Sequence, residues 1–343
     1  MKKSSMKSKI ESINGKMKKV YVKTPSRLHF CLIDMNGELG RVDGSLGISI
    51  EKPNVELITW LSDETKVYGK ESMRIEALAK LFLSNVKSDE NISINIKKVI
   101  PSHVGFGSET QLSLAVAASI AKLLRLNLST YELAQIMGRG GTSGIGVATF
   151  DKGGLILDGG HSYGNKCQKK NFLPSNASRA PPAKVLVRYD FPEDWIFILA
   201  TPKVEKGMFG QKETEIFRKL CPIPADEVAA ISRIILMKLL PSVLEKNVQI
   251  FGSGLTDLQN LGFAKAAKDL MHPVTARCIK TLLEKGAYGA GQSSFGPTAY
   301  GLFKRDSNVG RVIHMLKNLL NKSGGGEVLC AGPNNSGAHI SFH

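Results

Sequence analysis

The sequence predicts an α+β protein that folds in two lobes. Segments with the helical spacing of apolar residues alternate with short strand-like segments, and we find no internal repeat or heptad array. The length of 343 residues and the 42% hydrophobic content are enough for one large or two medium cores. We expect a basic disordered tail over residues 1–19, an N-terminal domain over 20–190 and a C-terminal domain over 191–343.

The N-terminal domain begins with strand-like and loop segments and continues with helices. Ile92, Ile94 and Ile96 alternate with polar neighbours, as in a half-buried strand. A further helix is expected after Ser129 or Thr130, one of which caps it. Before that helix, we predict a strand over 20–24, a loop over 25–30, a Gly-rich excursion over 36–44, a strand over 46–50, a helix over 73–86, a strand over 92–96 and a helix over 109–126.

The middle of the chain is rich in glycine. Nine glycines lie within residues 138–160, too many for regular structure, so we expect backbone packed tightly against itself or against a ligand. The polar segment 164–182 is expected to be an exposed loop. Beyond it we predict a strand over 195–200, helices over 226–240, 257–270 and 274–285, a strand over 298–303, a helix over 309–320 and a final strand over 327–330.

Composition and charge exclude several classes of protein. The net charge is +16, but eight lysines lie within residues 2–23, so much of the excess is in the tail, and nucleic-acid binding is disfavoured because no recognition motif accompanies it. A basic body equally attracts small polyanions. The five cysteines are scattered, which argues against a zinc site or a disulfide framework and for the reducing cytoplasm. No apolar run reaches the roughly 18 to 20 residues of a membrane span.

The segment 101–111 carries the clearest chemical signal. Gly105 and Gly107 lie where a strand leads into a helix rich in small residues, and backbone N–H groups at a helix start bind anions without a lysine. An ordinary tight turn capped by Ser108 is the alternative.

Three motifs in order resemble those of the GHMP kinases. The pattern Pro-x-x-x-Gly-x-Gly-Ser over 101–108 resembles their phosphate-binding loop, residues 24–30 resemble their first motif, and the Gly-rich segment 289–297 resembles their third. The resemblance implies a two-lobed GHMP-kinase-like fold, with an N-terminal lobe like the second domain of ribosomal protein S5 and a ferredoxin-like C-terminal lobe.

The chain departs from those kinases in one segment. Many of them have Ser-Gly-x-Asp, whose aspartate serves the acceptor hydroxyl, whereas residues 142–146 here are Thr-Ser-Gly-Ile-Gly. Gly146 therefore stands where that carboxylate would be, and a kinase is disfavoured because the acceptor hydroxyl normally has a proton-accepting partner. An ATP-dependent kinase of a small molecule is still the first alternative, and a non-catalytic binding protein with this scaffold is the second.

The glycine-rich middle of the chain is similar to the segment typical of β-ribofuranosylaminobenzene 5'-phosphate synthases, over residues 138–150 and 153–161. Three further segments also resemble that family, at residues 27–34, 256–260 and 292–298. The resemblance implies a glycosyltransferase that condenses 5-phosphoribosyl 1-diphosphate with 4-hydroxybenzoate or 4-aminobenzoate. Carbon dioxide and diphosphate are released, in a step towards methanopterin and tetrahydromethanopterin in archaea and some bacteria. It further implies a cytoplasmic homodimer that uses magnesium.

The same resemblance suggests a site. Attack by the ring carbon that bears the carboxylate replaces proton loss by CO2 loss, so a strong base at position 146 is not needed. Arg27 and Arg139 are hypothesised to clamp phosphate or carboxylate, with surface or structural ion pairing as the alternative. His29 and His161 are hypothesised to donate hydrogen bonds to the substrate, with Asp158 orienting His161 or a metal ion, and a structural role for either histidine is the alternative. We expect the diphosphate and the remaining substrate atoms to contact Gly105, Gly107, Ser108, Thr110, Thr142, Ser143, Gln292, Ser293 and Ser294.

Glu109 is the candidate magnesium ligand. It follows Ser108 at the start of the predicted helix, where a metal that bridges diphosphate oxygens would be within reach. A first-turn glutamate stabilised by the helix dipole is the alternative interpretation.

Overall fold

The computed structural model describes residues 18–204 and 211–343, and the predicted tail lies almost wholly outside them. The strands of the first half are β1 (Lys19–Lys23), β2 (Ser26–Asp34), β3 (Arg41–Ile50), β4 (Glu56–Leu61), β5 (Lys66–Tyr68), β6 (Ile92–Lys98), β7 (Leu155–Asp158), β8 (His161–Ser162) and β9 (Val185–Tyr189). Its helices are α1 (Ser72–Asn85), α2 (Ser108–Leu123), α3 (Thr130–Ile136) and α4 (Ile145–Asp151).

The second half is richer in helices. Its strands are β10 (Trp195–Pro202), β11 (Gly289–Gln292), β12 (Ala299–Lys304), β13 (Gly326–Ala331) and β14 (His339–Phe342). Its helices are α5 (Gln211–Leu220), α6 (Ala225–Ile234), α7 (Leu240–Leu244), α8 (Val248–Leu258), α9 (Gly262–Ala266), α10 (Pro273–Glu284) and α11 (Val309–Asn321). A π-helical segment, Ile235–Leu239, joins α6 to α7.

Within the described residues the strands form three sheets. One has the order β14-β1-β4-β6-β5, one has the order β11-β12-β10-β13, and the third has the order β2-β3-β7-β9 with β8 paired to β3. Helix α2 contacts β1, β4, α1, α3 and α4, and its alanine and serine side chains permit these close approaches. Because α2 is buried on almost all sides, only its first turn is left to serve a ligand.

The hydrophobic core is continuous between the two halves of the chain. The ring of Phe30 on β2 lies 5.3 Å from that of Tyr300 on β12 and 6.2 Å from that of Phe197 on β10. Phe251 on α8 packs edge-on against Phe30 as well. Such aromatic pairs contribute about 0.5–1.5 kcal/mol each beyond the area they bury. They fix β2, which carries the first motif, against the sheet and helix of the second half.

The predicted α+β class is confirmed, and many of the predicted elements lie within a few residues of the observed ones. Ser129 is the cap of α3, in a reciprocal capping box with Glu132. The strand predicted over 327–330 is β13, but the strand after it, β14, was not predicted. β14 pairs antiparallel with β1, so the end of the chain returns to the first sheet. The domain boundary near residue 190 stays a prediction.

Four predictions of local structure were wrong. Residues 26–34 form strand β2 instead of a loop, because Leu28 and Phe30 are buried in the core. The glycine-rich segment contains helix α4 and strand β7, and its glycines allow these elements to pack closely. Residues 257–270 do not form one helix. Helix α8 ends at Leu258, and the short α9 follows after a break. The segment 164–182 is not simply exposed, since Lys169 within it is buried.

Candidate active site

Hydrogen bonds join the three motifs, at residues 24–30, 101–108 and 289–297, into one structure. The Ser293 hydroxyl donates to the carbonyl oxygen of Gly105 at 2.7 Å and accepts from the backbone N–H of His29 at 3.1 Å. The Thr298 hydroxyl donates to the carbonyl oxygen of Val104 at 2.6 Å. The backbone N–H of Arg27 donates to the carbonyl oxygen of Phe106 at 3.1 Å. Motifs that are up to 264 residues apart in sequence therefore form one rigid wall.

Glycine is required where two of these loops meet. Gly105 has a φ of +103°, and a Cβ atom there would lie 2.4 Å from the carbonyl oxygen of Ser293. Gly296 has no room for a side chain either, because a Cβ atom would lie 2.1 Å from the carbonyl carbon of Val104. Any larger residue at either position would separate the loops.

A cleft of about 380 Å³ opens beside this wall, and we call it the phosphate cleft. It lies where β2, the start of α2, the loop before α4, and α5 meet. Its lining includes Arg27, His29, Leu32, His103, Gly105, Gly107, Ser108, Glu109, Thr110, Arg139, Thr142, Ser143, Gly146, Glu213, Phe217, Ser294 and Phe295.

The start of helix α2 faces the phosphate cleft. Its N-cap, Gly107, has a left-handed φ of +72° and no side chain, so within the described residues no side chain caps the first turn. The backbone N–H groups at such a helix start carry partial positive charge and bind anions. The alternative of a turn capped by Ser108 is wrong, because Ser108 is the first residue of the helix.

Two arginines add full charges to this position. One Nη atom of Arg27 donates to the carbonyl oxygen of Gly105 at 2.6 Å, and Nε and Nη2 of Arg139 each lie 3.3 Å from the hydroxyl oxygen of Thr110. Burial lowers the pKa of Arg27 to about 10, which leaves the guanidinium charged at neutral pH. Burial also lowers the pKa of Arg139. The two guanidinium groups and the helix start together form a site for a multiply charged anion.

His29 is buried and lines the phosphate cleft. Its burial, and then the charge of Arg27, lower its pKa to about 3. The imidazole is therefore neutral at physiological pH and offers a hydrogen bond without a charge.

The structure does not place His161 or Asp158 in the phosphate cleft, and their predicted catalytic roles are corrected. His161 is fully buried: its Nδ1 lies 2.6 Å from Oδ2 of Asp43, and its Nε2 lies 2.8 Å from the carbonyl oxygen of Pro181. Asp158 is also fully buried and does not orient His161. It accepts hydrogen bonds from Ser45 and from the backbone N–H groups of two glycines, so both residues hold the scaffold together.

The remaining predicted residues divide between lining and support. Thr142, Ser143 and Ser294 line the phosphate cleft. Ser293 is fully buried, and its hydroxyl joins the loops instead of facing a substrate. Gln292 lines a second and larger cavity, and its side chain donates to the carbonyl oxygen of Gly296.

This second cavity, of about 1190 Å³, is bounded by β2, α8, α9, α10 and β11, and we call it the apolar cavity. It shares His29, Leu32, Ser294 and Phe295 with the phosphate cleft. The ring of Phe295 lies 6.3 Å from that of Phe217 and 5.4 Å from that of Phe263. An aromatic surface therefore adjoins the anion site.

Glu109 lies at the mouth of the phosphate cleft. Its Oε1 is 2.5 Å from Nη2 of Arg74 and 3.7 Å from Nε2 of His103. Among the described residues, no group of three or more His, Cys, Asp or Glu side chains is placed to hold a metal ion. The Glu109 carboxylate and the Ser108 hydroxyl line the cleft and are oxygen donors of the kind that magnesium prefers. These two side chains would fit a magnesium ion whose remaining ligands are substrate phosphates.

The phosphate cleft contains a second carboxylate that was not predicted from the sequence, that of Glu213 on α5. The local pattern contained a signal: Glu213, Ile216 and Phe217 have the i, i+3, i+4 spacing of one helix face, and the last two are buried. An acid on the apolar face of a helix points inward. The space beside Gly146 is occupied by the side chain of Thr110 and not by a carboxylate. A Cβ atom at position 146 would lie 3.2 Å from the Cβ atom of Thr110.

Known proteins share the sequence and the fold. The models of the GHMP kinases N terminal domain and the GHMP kinases C terminal region match residues 73–154 and 239–322. The chain is 40% identical over 329 residues to β-ribofuranosylphenol 5'-phosphate synthase of Methanothermobacter thermautotrophicus, covering 93% of this chain and 98% of the relative. It is 44% identical to the protein of the same name from Archaeoglobus fulgidus, covering 88% and 93%.

Among solved structures, homoserine kinase of Cytophaga hutchinsonii superimposes with a TM-score of 0.66 at 18% identity, covering 96% of this chain and 99% of the kinase. At that identity the likeness shows the fold alone. None of the helices in the described residues is long and apolar enough to cross a membrane.

Proposed function

The chain belongs to the β-ribofuranosylphenol 5'-phosphate synthase family, and on this basis we propose that it condenses 5-phosphoribosyl 1-diphosphate with 4-hydroxybenzoate or 4-aminobenzoate, releasing CO2 and diphosphate. The observation that supports this most directly is the phosphate cleft. It combines an anion-binding helix start and two guanidinium groups with glycine in place of the carboxylate of the kinases. The kinase alternative is disfavoured because the relatives at 40% and 44% identity over most of the chain are named as synthases.

The leaving diphosphate is assigned to the start of α2. As its bond to the anomeric carbon breaks, negative charge grows on the diphosphate, and the backbone N–H groups after Gly107 stabilise that charge without rearranging. Arg27 and Arg139 neutralise the remainder. This arrangement favours the separated charges of an oxocarbenium-like transition state over the ground state.

The aromatic acid is assigned to the junction of the two cavities. Phe217 and Phe295 offer their rings to the ring of the substrate, and neutral His29 offers a hydrogen bond there. Holding the ring carbon against the anomeric carbon converts a bimolecular reaction into an intramolecular one. Once the bond between these carbons forms, loss of CO2 restores aromaticity.

Magnesium is proposed to enter with the diphosphate. Glu109 and the Ser108 hydroxyl are the side chains that would hold it, and the ion would add charge neutralisation at the leaving group. Arg74, which contacts Glu109 at 2.5 Å, would share this carboxylate.

Carbon dioxide release tests the proposed function. The purified protein is incubated with 5-phosphoribosyl 1-diphosphate, magnesium and 4-hydroxybenzoate or 4-aminobenzoate labelled in the carboxyl group, and trapped radioactivity is counted. Labelled CO2 is expected only when both substrates are present. Release of no label, together with consumption of ATP on addition of small alcohols, would establish the kinase alternative instead.

The diphosphate assignment predicts a binding defect for the double variant Ser108→Ala/Thr110→Ala. Two hydrogen bonds to a charged group are removed, each contributing about 1.5–3 kcal/mol, so KM for 5-phosphoribosyl 1-diphosphate should rise at least about 10²-fold. The KM for the aromatic acid should change much less. Ser253→Ala, on the exposed side of α8, is the control, and unchanged KM in the double variant would contradict the assignment.

We also propose that the enzyme is a cytoplasmic homodimer. All five cysteines are free, as a reducing compartment requires. Leu236, Met237 and Leu244 are exposed on adjoining helical segments and provide an apolar face for a second copy.

A further inference from the structure

Glu213 is the one acidic side chain of the phosphate cleft that neither the anion site nor the scaffold uses. It lies on α5 opposite the start of α2, and in residues 18–204 and 211–343 its carboxylate forms no ion pair or hydrogen bond. Arg27 is the charged group that acts on it, favouring the carboxylate. A carboxyl group that is mostly buried and left unpaired in a cleft is costly, which points to a partner supplied by a ligand.

We infer that Glu213 accepts the para-hydroxyl proton of 4-hydroxybenzoate while the ring carbon attacks the ribose, and returns it when CO2 leaves. This inference rests on the proposed function and adds to it the residue that favours the hydroxy acid over the amino acid.

The step balances in atoms and charge. The bond between ring carbon and anomeric carbon forms as the bond from anomeric carbon to diphosphate breaks, and the O–H proton passes to Glu213, leaving a ring ketone. The bond to the carboxylate carbon then breaks, its electron pair restores the aromatic ring as a phenolate, and Glu213 returns the proton to give the phenol. No oxidant, reductant or further reactant is needed.

Other groups of the cleft are poorly suited to this transfer. The guanidinium groups of Arg27 and Arg139 have no acceptor, and the neutral ring of His29 is a weak base because its pKa is about 3. Glu109 is paired with Arg74, and His103 lies beside that pair. Burial raises the pKa of Glu213 to about 7, whereas Arg27 opposes the rise. A pKa near the working pH suits a group that both accepts and returns a proton.

The two acceptors differ in their need for this group. A phenol O–H has an ordinary pKa near that of tyrosine, about 10, and its ring attacks much better as the phenolate. An aryl amine donates its lone pair to the ring while keeping both hydrogens. Removing the carboxylate should therefore harm the reaction of the hydroxy acid far more than that of the amino acid.

The test compares Glu213→Gln with the wild-type enzyme on both acids, by CO2 release between pH 5.5 and 9. Glutamine keeps the size of the side chain but accepts no proton. The expected loss of kcat/KM is about 10²-fold with 4-hydroxybenzoate and less than about tenfold with 4-aminobenzoate. Wild-type activity on the hydroxy acid should rise as pH rises through about 7, because the carboxylate is the form that accepts the proton. This rise in activity with pH should be absent in Glu213→Gln.

Glu215→Gln, an exposed neighbour on the same helix, is the matched control and should behave as wild type on both acids. Equal losses on the two acids in Glu213→Gln, or no loss on either, would overturn the inference while leaving the proposed function standing. A wild-type enzyme that releases CO2 from neither acid overturns the proposed function, and the inference with it. Thermal unfolding of each variant shows whether its fold is kept.

Discussion

Arg139→Ala is expected to lower kcat/KM for CO2 release by about 10³-fold and leave the fold intact. Two nitrogens of the Arg139 guanidinium converge on the hydroxyl of Thr110 in the first turn of α2, where the diphosphate is assigned. A charged donor aimed at developing negative charge in a desolvated site commonly contributes a factor of 10² to 10⁵. Arg139 lies in a loop that lines the phosphate cleft, so its loss removes charge without removing core packing.

The effect of this substitution is measured beside two other variants. Arg139→Lys keeps the charge but loses the planar pair of donors, so it should recover only part of the activity. Arg311→Ala removes an exposed arginine from α11 and should leave both kinetics and stability near wild type. Wild-type kinetics in Arg139→Ala would remove this residue from the site.

The residues of the proposed anion site could be chosen from the sequence because their signals are local. Gly105, Gly107 and Ser108 define a strand-to-helix turn within a few residues, and the chemistry of a helix start follows from the backbone alone. The order of the three motifs, through the family resemblance, then indicated that they belong to one site. The hydrogen bonds that Ser293 and Thr298 make to the loop of Gly105 realise that arrangement.

The sequence did not predict contacts that depend on how distant elements pack. His161 and Asp158 were expected in the site because they lie in a motif, yet both are fully buried in the scaffold. No local pattern identifies Asp43, 118 residues away, as the partner of His161. Glu213 was missed for a related reason: the pattern of its helix indicates that it points inward, but only the packing of α5 brings it to the cleft.

Motif residues therefore serve two purposes here. Some of them line the phosphate cleft, namely Arg27, Arg139 and the first turn of α2. Others, such as Asp158 and Ser293, hold the loops that form its wall. Asp158 illustrates the second purpose: burial raises its pKa to about 6, and three hydrogen bonds oppose the rise. One of those bonds comes from the backbone N–H of Gly144, at the start of α4, beside the cleft residue Ser143.

The buried cluster of Asp43, His161 and Lys169 should have the largest effect on stability. Nζ of Lys169 lies 2.9 and 3.0 Å from the two carboxylate oxygens of Asp43, and it also donates to the hydroxyl of Thr142 at 3.3 Å. Both ring nitrogens of His161 lie within hydrogen-bond distance of an oxygen atom, one on Asp43 and one on the carbonyl of Pro181. Asp43 is thus held between the Lys169 ammonium group and the His161 ring, away from water.

Lys169→Met is accordingly expected to lower the free energy of unfolding by about 3–5 kcal/mol, because it leaves the Asp43 carboxylate buried with less compensation. Lys170→Met, at the exposed neighbouring position, should change it by less than about 0.5 kcal/mol. The double variant Asp43→Asn/Lys169→Met should be more stable than Lys169→Met, since it removes the uncompensated charge as well, and asparagine tolerates the left-handed φ of +67° at position 43. Urea unfolding of the four proteins measures these differences. If Lys169→Met proves as stable as Lys170→Met, the cluster does not hold this part of the fold, and the support it gives to Thr142 in the cleft is not needed.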